Sequence, residues 1–472
     1  MDKLNREIIR LSVPTIVSNV TVPLLGICDT AISGHLGSEL YLSAIAVGSV
    51  MLNVVFWIFG FLRGGTTGLT ANALGKTIGI EDGNNPEKKK AKRRTIEKFF
   101  SNGKNGEEHF VETSKVLYRA LLIALGAGVV LIALQHPIFL FLNYVAGSGQ
   151  EIEEFVENYF VIRIWGAPAL LATMAISGWF VGMQTTFYPM LIAILMNLIN
   201  ISASCALVFG AGYGFNGVAI GTLLSNWLGL LGSIACLLWF CRGRFPRCQL
   251  QLLMKGEWWK YFSVNGNLFL RSFFIICVTM GVTAAGARLG NLTLAINVIV
   301  MQFFQFFSFF MDGFAFSGEA MVGLRSGQGD YVMLKKCVNR LLQWTLVTAL
   351  IFSAIYFSGT GTMASMLTDS KAVVDGVTAL TICIGLIPLV SCWAFIYDGF
   401  YIGITDTFKM MVSTLLGSIA FFVIIFGSAP DTLANFNLDG NIVIWTGFLC
   451  YLLFRGLYLA MLWPSSLRKQ LG

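Results

Sequence analysis

The chain is 472 residues long, 56% hydrophobic and only 12% charged, with a mean hydropathy of +0.73 and a net charge of +7. Water-soluble domains carry about 25% charged residues, so this composition excludes a soluble globule and points to helices that cross a bilayer. The basic excess is concentrated in a few connections between apolar runs, which accounts for it without nucleic-acid binding.

Crossing the hydrocarbon takes ~20 residues. Apolar runs long enough lie at 8–33, 42–74, 116–142, 152–182, 187–210, 216–241, 262–287, 292–324, 338–358, 373–402, 408–427 and 441–463. They predict an all-α integral membrane protein of twelve transmembrane helices, several long enough to tilt or to extend past the bilayer. The first run is too long, and lacks the small-residue cleavage site, for a cleavable signal peptide.

Lys3, Arg6 and Arg10 precede the first run, and the connection 76–115 holds ten Lys and Arg, including "KKKAKRR". Arg242, Arg244, Arg247, Lys255, Lys260, Lys335 and Lys336 follow on the same side of a twelve-span count. The opposite loops "NYVAGSGQE" and "GSAPDTLANFNLDG" have no Lys or Arg, with Arg288 and Lys371 as exceptions. Basic flanks stay in the cytoplasm, so both termini are expected there. The 76–115 loop also suits contact with anionic membrane lipid, and its charge predicts partial disorder with a short amphipathic piece near "RRTIEKFF".

In the first run, "ICDTAISGHLG" places Asp29 where an ionised carboxylate at mid-membrane costs roughly 2.5–3.5 kcal/mol. Pro14 and Pro23 precede it, each removing a helix hydrogen bond and supplying a hinge. Burial disfavours a charged carboxyl, which makes Asp29 a candidate proton carrier. Hydrated and flanked by amide or carbonyl oxygens, it would instead suit sodium; a position near the outer end would make it a helix cap. In the fifth run, "MNLINISAS" sets Asn197 and Asn200 three apart on one helix face. They either face Asp29 or a substrate in a polar cavity, or bond neighbouring helices together.

The second half holds Arg271 in its seventh run, Asp312 and Glu319 two turns apart in the eighth, and Asp398 in the tenth. They form a candidate charge network, with Arg271 pairing Asp312 or Asp398, either as a structural brace or as a second coupling site. Arg63 and Arg455 are also deep. The Phe-rich "MQFFQFFSFFMDGFAF" and the 17 Met read mainly as packing or lipid-facing surface, with some suited to lining a cavity for lipophilic cations. Ten scattered Cys with no C-x-x-C pair, and three distant His, give no metal spacing. With no nucleophile–base constellation, no enzyme, resident metal or cofactor is expected.

The chain also repeats. At an offset of 253, Thr30-Ala31, Leu36-Gly37, Gly60-Phe61 and Gly65 fall on Thr283-Ala284, Leu289-Gly290, Gly313-Phe314 and Gly318. At an offset of 221, "GMQTTF" from Gly182 falls on "GITDTF" from Gly403. The 32-residue difference matches most of the extra length of the 76–115 loop. An even number of spans per repeat predicts two six-helix lobes related by a pseudo-twofold axis along the membrane normal. The boundaries are expected at 1–241, a cytoplasmic linker 242–261, and 262–472.

With these residues in view, the sequence resembles a multidrug and toxic compound extrusion (MATE) transporter of the DinF-like branch over almost its whole length. "LSVPTIVSNVTVPLLGICDTAISGHLGS", "FGFLRGGTTGLTANALG", "MDGFAFSGEAMVGLRSG" and the pair "GWFVGMQTT" and "YDGFYIGITDT" carry the resemblance. It implies a monomeric antiporter of the bacterial inner membrane that exports amphipathic, often cationic, small molecules in exchange for H⁺ or Na⁺. It further implies that Asp29 is the coupling site, that Pro14 is the first-helix proline, and that Asn200 is the fifth-helix Asn. The family commonly has an Asp four residues after that Asn; Ser204 stands there. Asp29 alone must then serve coupling, or the second-half acids contribute. The alternative is a flippase of lipid-linked or polysaccharide precursors, as in the wider superfamily. That function would want clustered cations for a pyrophosphate, and three deep Arg on different helices weigh against it.

Overall fold

The computed structural model describes residues 3–34, 39–83, 106–147, 149–241, 258–427 and 440–469. The "RRTIEKFF" piece of the 76–115 loop and most of the 242–261 linker lie outside the described residues. The chain divides into two compact units, Val13–Trp259, and Lys260–Gly472 together with Met1–Ser12.

The first unit contains most of α1 (Lys3–Gly34), then α2 (Glu39–Ile58), α3 (Phe61–Gly83), α4 (Gly106–Ala133), α5 (Gln135–Ala146), α6 (Gln150–Ile164), α7 (Ala167–Gly182), α8 (Phe187–Cys205) and α9 (Phe215–Cys241). The second begins near α10 (Trp258–Leu289) and continues through α11 (Asn291–Gly327), α12 (Tyr331–Leu367), α13 (Lys371–Ala379), α14 (Thr381–Gly403), α15 (Thr407–Gly427) and α16 (Gly440–Lys469). Among the described residues, ten helices are long and apolar enough to cross a membrane. An eleventh is α6 with α7, bent by 49° where Trp165 and Gly166 break the helix ahead of Pro168. The first expected span falls on α1, so each of the twelve expected spans is one helix or one broken helix. The protein is an all-helical, multi-pass membrane protein.

Residues 1–12, which the sequence reading groups with 1–241, pack in the second unit instead. The Ser12 and Ser317 hydroxyls share a 2.7 Å hydrogen bond, Trp344 Nε1 donates to Asn5 Oδ1 at 3.3 Å, and Arg325 lies 3.8 Å from the Glu7 carboxylate. The chain passes from one unit to the other within α1, immediately before Pro14.

Internal packing follows one plan in both units. In the first, α3 and α4 pack on α7, and α8 packs on α9; in the second, α11 and α12 pack on α14, and α15 packs on α16. Small residues set the close approaches, because helix contact in lipid depends on van der Waals fit. A Cβ on Gly178 would lie 2.3 Å from the Arg63 carbonyl oxygen, and one on Gly399 would lie 2.3 Å from that of Ala315. The 221-residue offset relates these two glycines and also the helix ends that follow. At the first end Thr185 N–H bonds Phe180 O and Gln184 N–H bonds Val181 O; at the second Asp406 N–H bonds Tyr401 O and Thr405 N–H bonds Ile402 O. This closure needs a left-handed residue, usually Gly, yet Gln184 (φ 63°) and Thr405 (φ 60°) fill the position. The repeat read from identities is thus also a repeat of backbone geometry.

Gly399→Ala should lower stability by about 1–3 kcal/mol, because the new methyl meets backbone and cannot be relieved by a rotamer change. Gly266→Ala in α10, where a Cβ meets nothing within 4 Å, is the control and should be neutral or mildly stabilising. Thermal unfolding in detergent compares the two.

Several large buried side chains have their polar tips tied off inside their own unit. Trp179 Nε1 donates to Thr113 O at 3.0 Å, Tyr356 OH to Phe303 O at 2.8 Å, and Tyr401 OH to Leu459 O at 3.0 Å.

Candidate functional site

In the first unit α1 carries Pro14, Pro23 and Asp29. Pro14 is half-buried; the side chains of Pro23 and Asp29 lie outside the described residues. The fifth expected span, α8, reaches α1 through Asn197, whose Nδ2 donates to Thr21 Oγ1 at 2.8 Å, while Thr21 Oγ1 donates to Ser18 O at 2.7 Å. Asn200, buried at 1% exposure, turns the other way: its Nδ2 donates to Thr222 Oγ1 on α9 at 2.9 Å. Three residues along a helix leave side chains about 60° apart, enough to send the two amides to different neighbours.

Ser204 is fully buried one turn beyond Asn200. It lies against α9 where Gly221 allows close approach, since a Cβ there would be 2.3 Å from Ser204 Oγ. Asn200 Oδ1 and Ser204 Oγ are both buried without a hydrogen-bond partner. Four residues apart, they lie on one face of α8. This unit therefore holds two unsatisfied oxygens on α8 and a polar contact from α8 to the helix that carries Asp29. Such oxygens are hard ligands, suited to a proton-bearing water or to sodium.

The second unit is furnished with charge. Arg271 on α10 and Arg455 on α16 both donate an Nη2 hydrogen bond to the same oxygen, Oδ2, of Asp398 on α14. Arg455 also donates through Nη1 to Tyr451 OH at 3.1 Å and stands over that ring. Asp398 and Arg455 are buried, and Arg271 is the partly open member, its side chain 18% exposed. Asp398 Oδ1 and the Nε groups of both arginines are buried without partners. Beyond Tyr451 the ring of Phe448 lies 5.9 Å away, with Phe304 5.0 Å and Trp445 5.5 Å from Phe448. Asp312, half-buried, and Glu319, buried, stand two turns apart on α11.

Of the two pairings open to Arg271, the structure makes the one with Asp398. Arg455, which the sequence marks only as a deep cation, joins it on the same oxygen, and Tyr451, which carries no charge to mark it, holds Arg455 in turn. Their four-residue spacing, which stacks them on one helix face, is the signal available in the sequence. The distribution of the deep arginines over different helices, which weighs against clustered cations, does not keep them apart: two of the three meet on one carboxylate. Chain separation says nothing of which helices are lateral neighbours. Arg63, on α3 of the first unit, is the third.

A family model described as MatE matches residues 103–205 and 268–427. The DNA damage-inducible protein F of Escherichia coli is 29% identical over 460 residues, covering 97% of this chain and 92% of the relative. Protein DETOXIFICATION 44, chloroplastic, of Arabidopsis thaliana is 24% identical, covering 96% and 81%. Among solved structures, a MATE transporter crystallised in a bent conformation superimposes with a TM-score of 0.80 at 16% identity, covering 100% of this chain and 98% of that one, which bears on the fold alone.

Proposed function

The chain belongs to the MatE family of multidrug and toxic compound extrusion transporters, and on that premise we propose that it is a secondary antiporter coupled through Asp29. It exports an amphipathic organic compound and admits H⁺, or Na⁺, in return. The observation that carries the reading is the unit in which Asp29 resides: α8 contacts α1 through Asn197 and Thr21, and keeps the oxygens of Asn200 and Ser204 buried and unsatisfied. Neutralising a carboxylate on α1 changes the cost of burying it, and Pro14, beside the point where α1 passes between units, supplies a hinge. A coupling ion moves the equilibrium between access states only by its differential affinity for them, and an acid that is charged in one protonation state and neutral in the other can provide that difference. The Escherichia coli relative supports placement in an inner membrane, and the Lys/Arg bias supports cytoplasmic termini.

Energised efflux of a fluorescent cation from membrane vesicles tests the reading. Collapsing the proton gradient should abolish efflux if H⁺ is the coupling ion, and collapsing the sodium gradient should do so if Na⁺ is. Efflux indifferent to both would overturn antiport and favour the flippase alternative.

A further inference from the structure

We infer that the Arg271–Asp398–Arg455 cluster is an anion-recognition site, and that the transported compounds include amphipathic molecules bearing a carboxylate, sulfonate or phosphate. The inference rests on the transport reading above and deepens it. The charge balance carries it. Two guanidinium groups share one carboxylate oxygen, so the trio keeps a net positive charge inside a membrane-spanning bundle. A structural brace would be complete with one Arg and one Asp, and Arg455, bound also to Tyr451, already supplies that pair. Arg271 is the surplus cation, and it is the member that remains partly open.

Unsatisfied groups point the same way. Arg455 is 3% exposed and its Nε–H has no acceptor; nor has the buried Nε–H of Arg271. Buried donors without acceptors are expensive, and a planar oxyanion is the group that guanidinium forks match best. An anionic lipid headgroup offers the same chemistry and is separated by experiment.

The test uses the full-length protein in nanodiscs and in proton-energised vesicles, with carboxyfluorescein as acidic probe and ethidium as cationic probe. Wild type should bind carboxyfluorescein, read by fluorescence anisotropy. Arg271→Gln, which leaves the Arg455–Asp398 pair intact, should weaken that binding about tenfold or more, and Arg271→Lys should restore part of it. In vesicles the ratio of acidic to cationic dye uptake should fall by a similar factor. A merely structural role would lower both uptakes together and leave the ratio unchanged, which would overturn the proposal; so would wild-type binding insensitive to Arg271→Gln, or no binding by wild type. If neither dye is moved yet Arg271-dependent binding persists, the transport reading fails and the anion site stands. Repeating the binding in phosphatidylcholine with and without phosphatidylglycerol separates the sources: competition by phosphatidylglycerol marks a lipid headgroup, and indifference marks a soluble anion.

Discussion

An Asp29→Asn variant should reach the membrane at normal levels and lose gradient-driven efflux completely. The amide is close in size and uncharged, so insertion is no harder than with an ionised carboxylate, which at the centre of a bilayer costs roughly 2.5–3.5 kcal/mol. What disappears is the proposed coupling group, a carboxylate that takes up the ion in its charged form and is neutral once the ion is bound. Without differential affinity for two access states an ion gradient does no work, so the steady-state ratio of expelled to retained dye should relax to about one. Downhill equilibration of dye should be retained, and measuring it beside concentrative efflux separates loss of coupling from loss of fold. Concentrative efflux equal to wild type in Asp29→Asn would remove the basis for coupling through this residue. Asn200→Ala makes a useful comparison, because it removes the Thr222 hydrogen bond without touching the acid.

The largest expected effect on stability is at the other charged centre. Asp398→Asn leaves the two guanidinium groups of Arg271 and Arg455 facing one another with no counter-charge, and breaking a buried ion pair from one side costs about 3–5 kcal/mol. Arg271→Gln should cost much less, because the remaining Arg455–Asp398 pair is balanced. Thermal unfolding in detergent should therefore order the proteins as wild type, then Arg271→Gln, then Asp398→Asn. Replacing all three by apolar side chains of similar volume should recover most of the loss, since desolvation takes back much of what a buried ion pair gains. An Asp398→Asn protein as stable as Arg271→Gln would show that the cluster is far better hydrated than its burial implies.

What the sequence determines by itself is everything that runs along the chain. Apolar length fixes where the twelve expected spans fall, because each crossing must satisfy its own backbone within one segment, but not the breaks that divide some of them into two helices. The repeat is legible in the same way, from identities such as "GMQTTF" at Gly182 and "GITDTF" at Gly403, whereas the need for glycine at 178 and 399 comes from the neighbouring helices whose carbonyls approach to 2.3 Å of the Cβ position. Asp29, Asp398 and Arg271 are legible as candidates because a charge in hydrocarbon is costly wherever its helix lies. Tertiary structure alone decides what is lateral. That Asn197 goes to α1 and Asn200 to α9, that residues 1–12 pack with the second half, and that Arg455 shares an oxygen with Arg271 all depend on which helices are neighbours. Hydropathy cannot encode that choice, because lipid is as apolar as the side chains it competes with; helices find partners by fit and hydrogen bonding, and both exist only once the bundle is assembled.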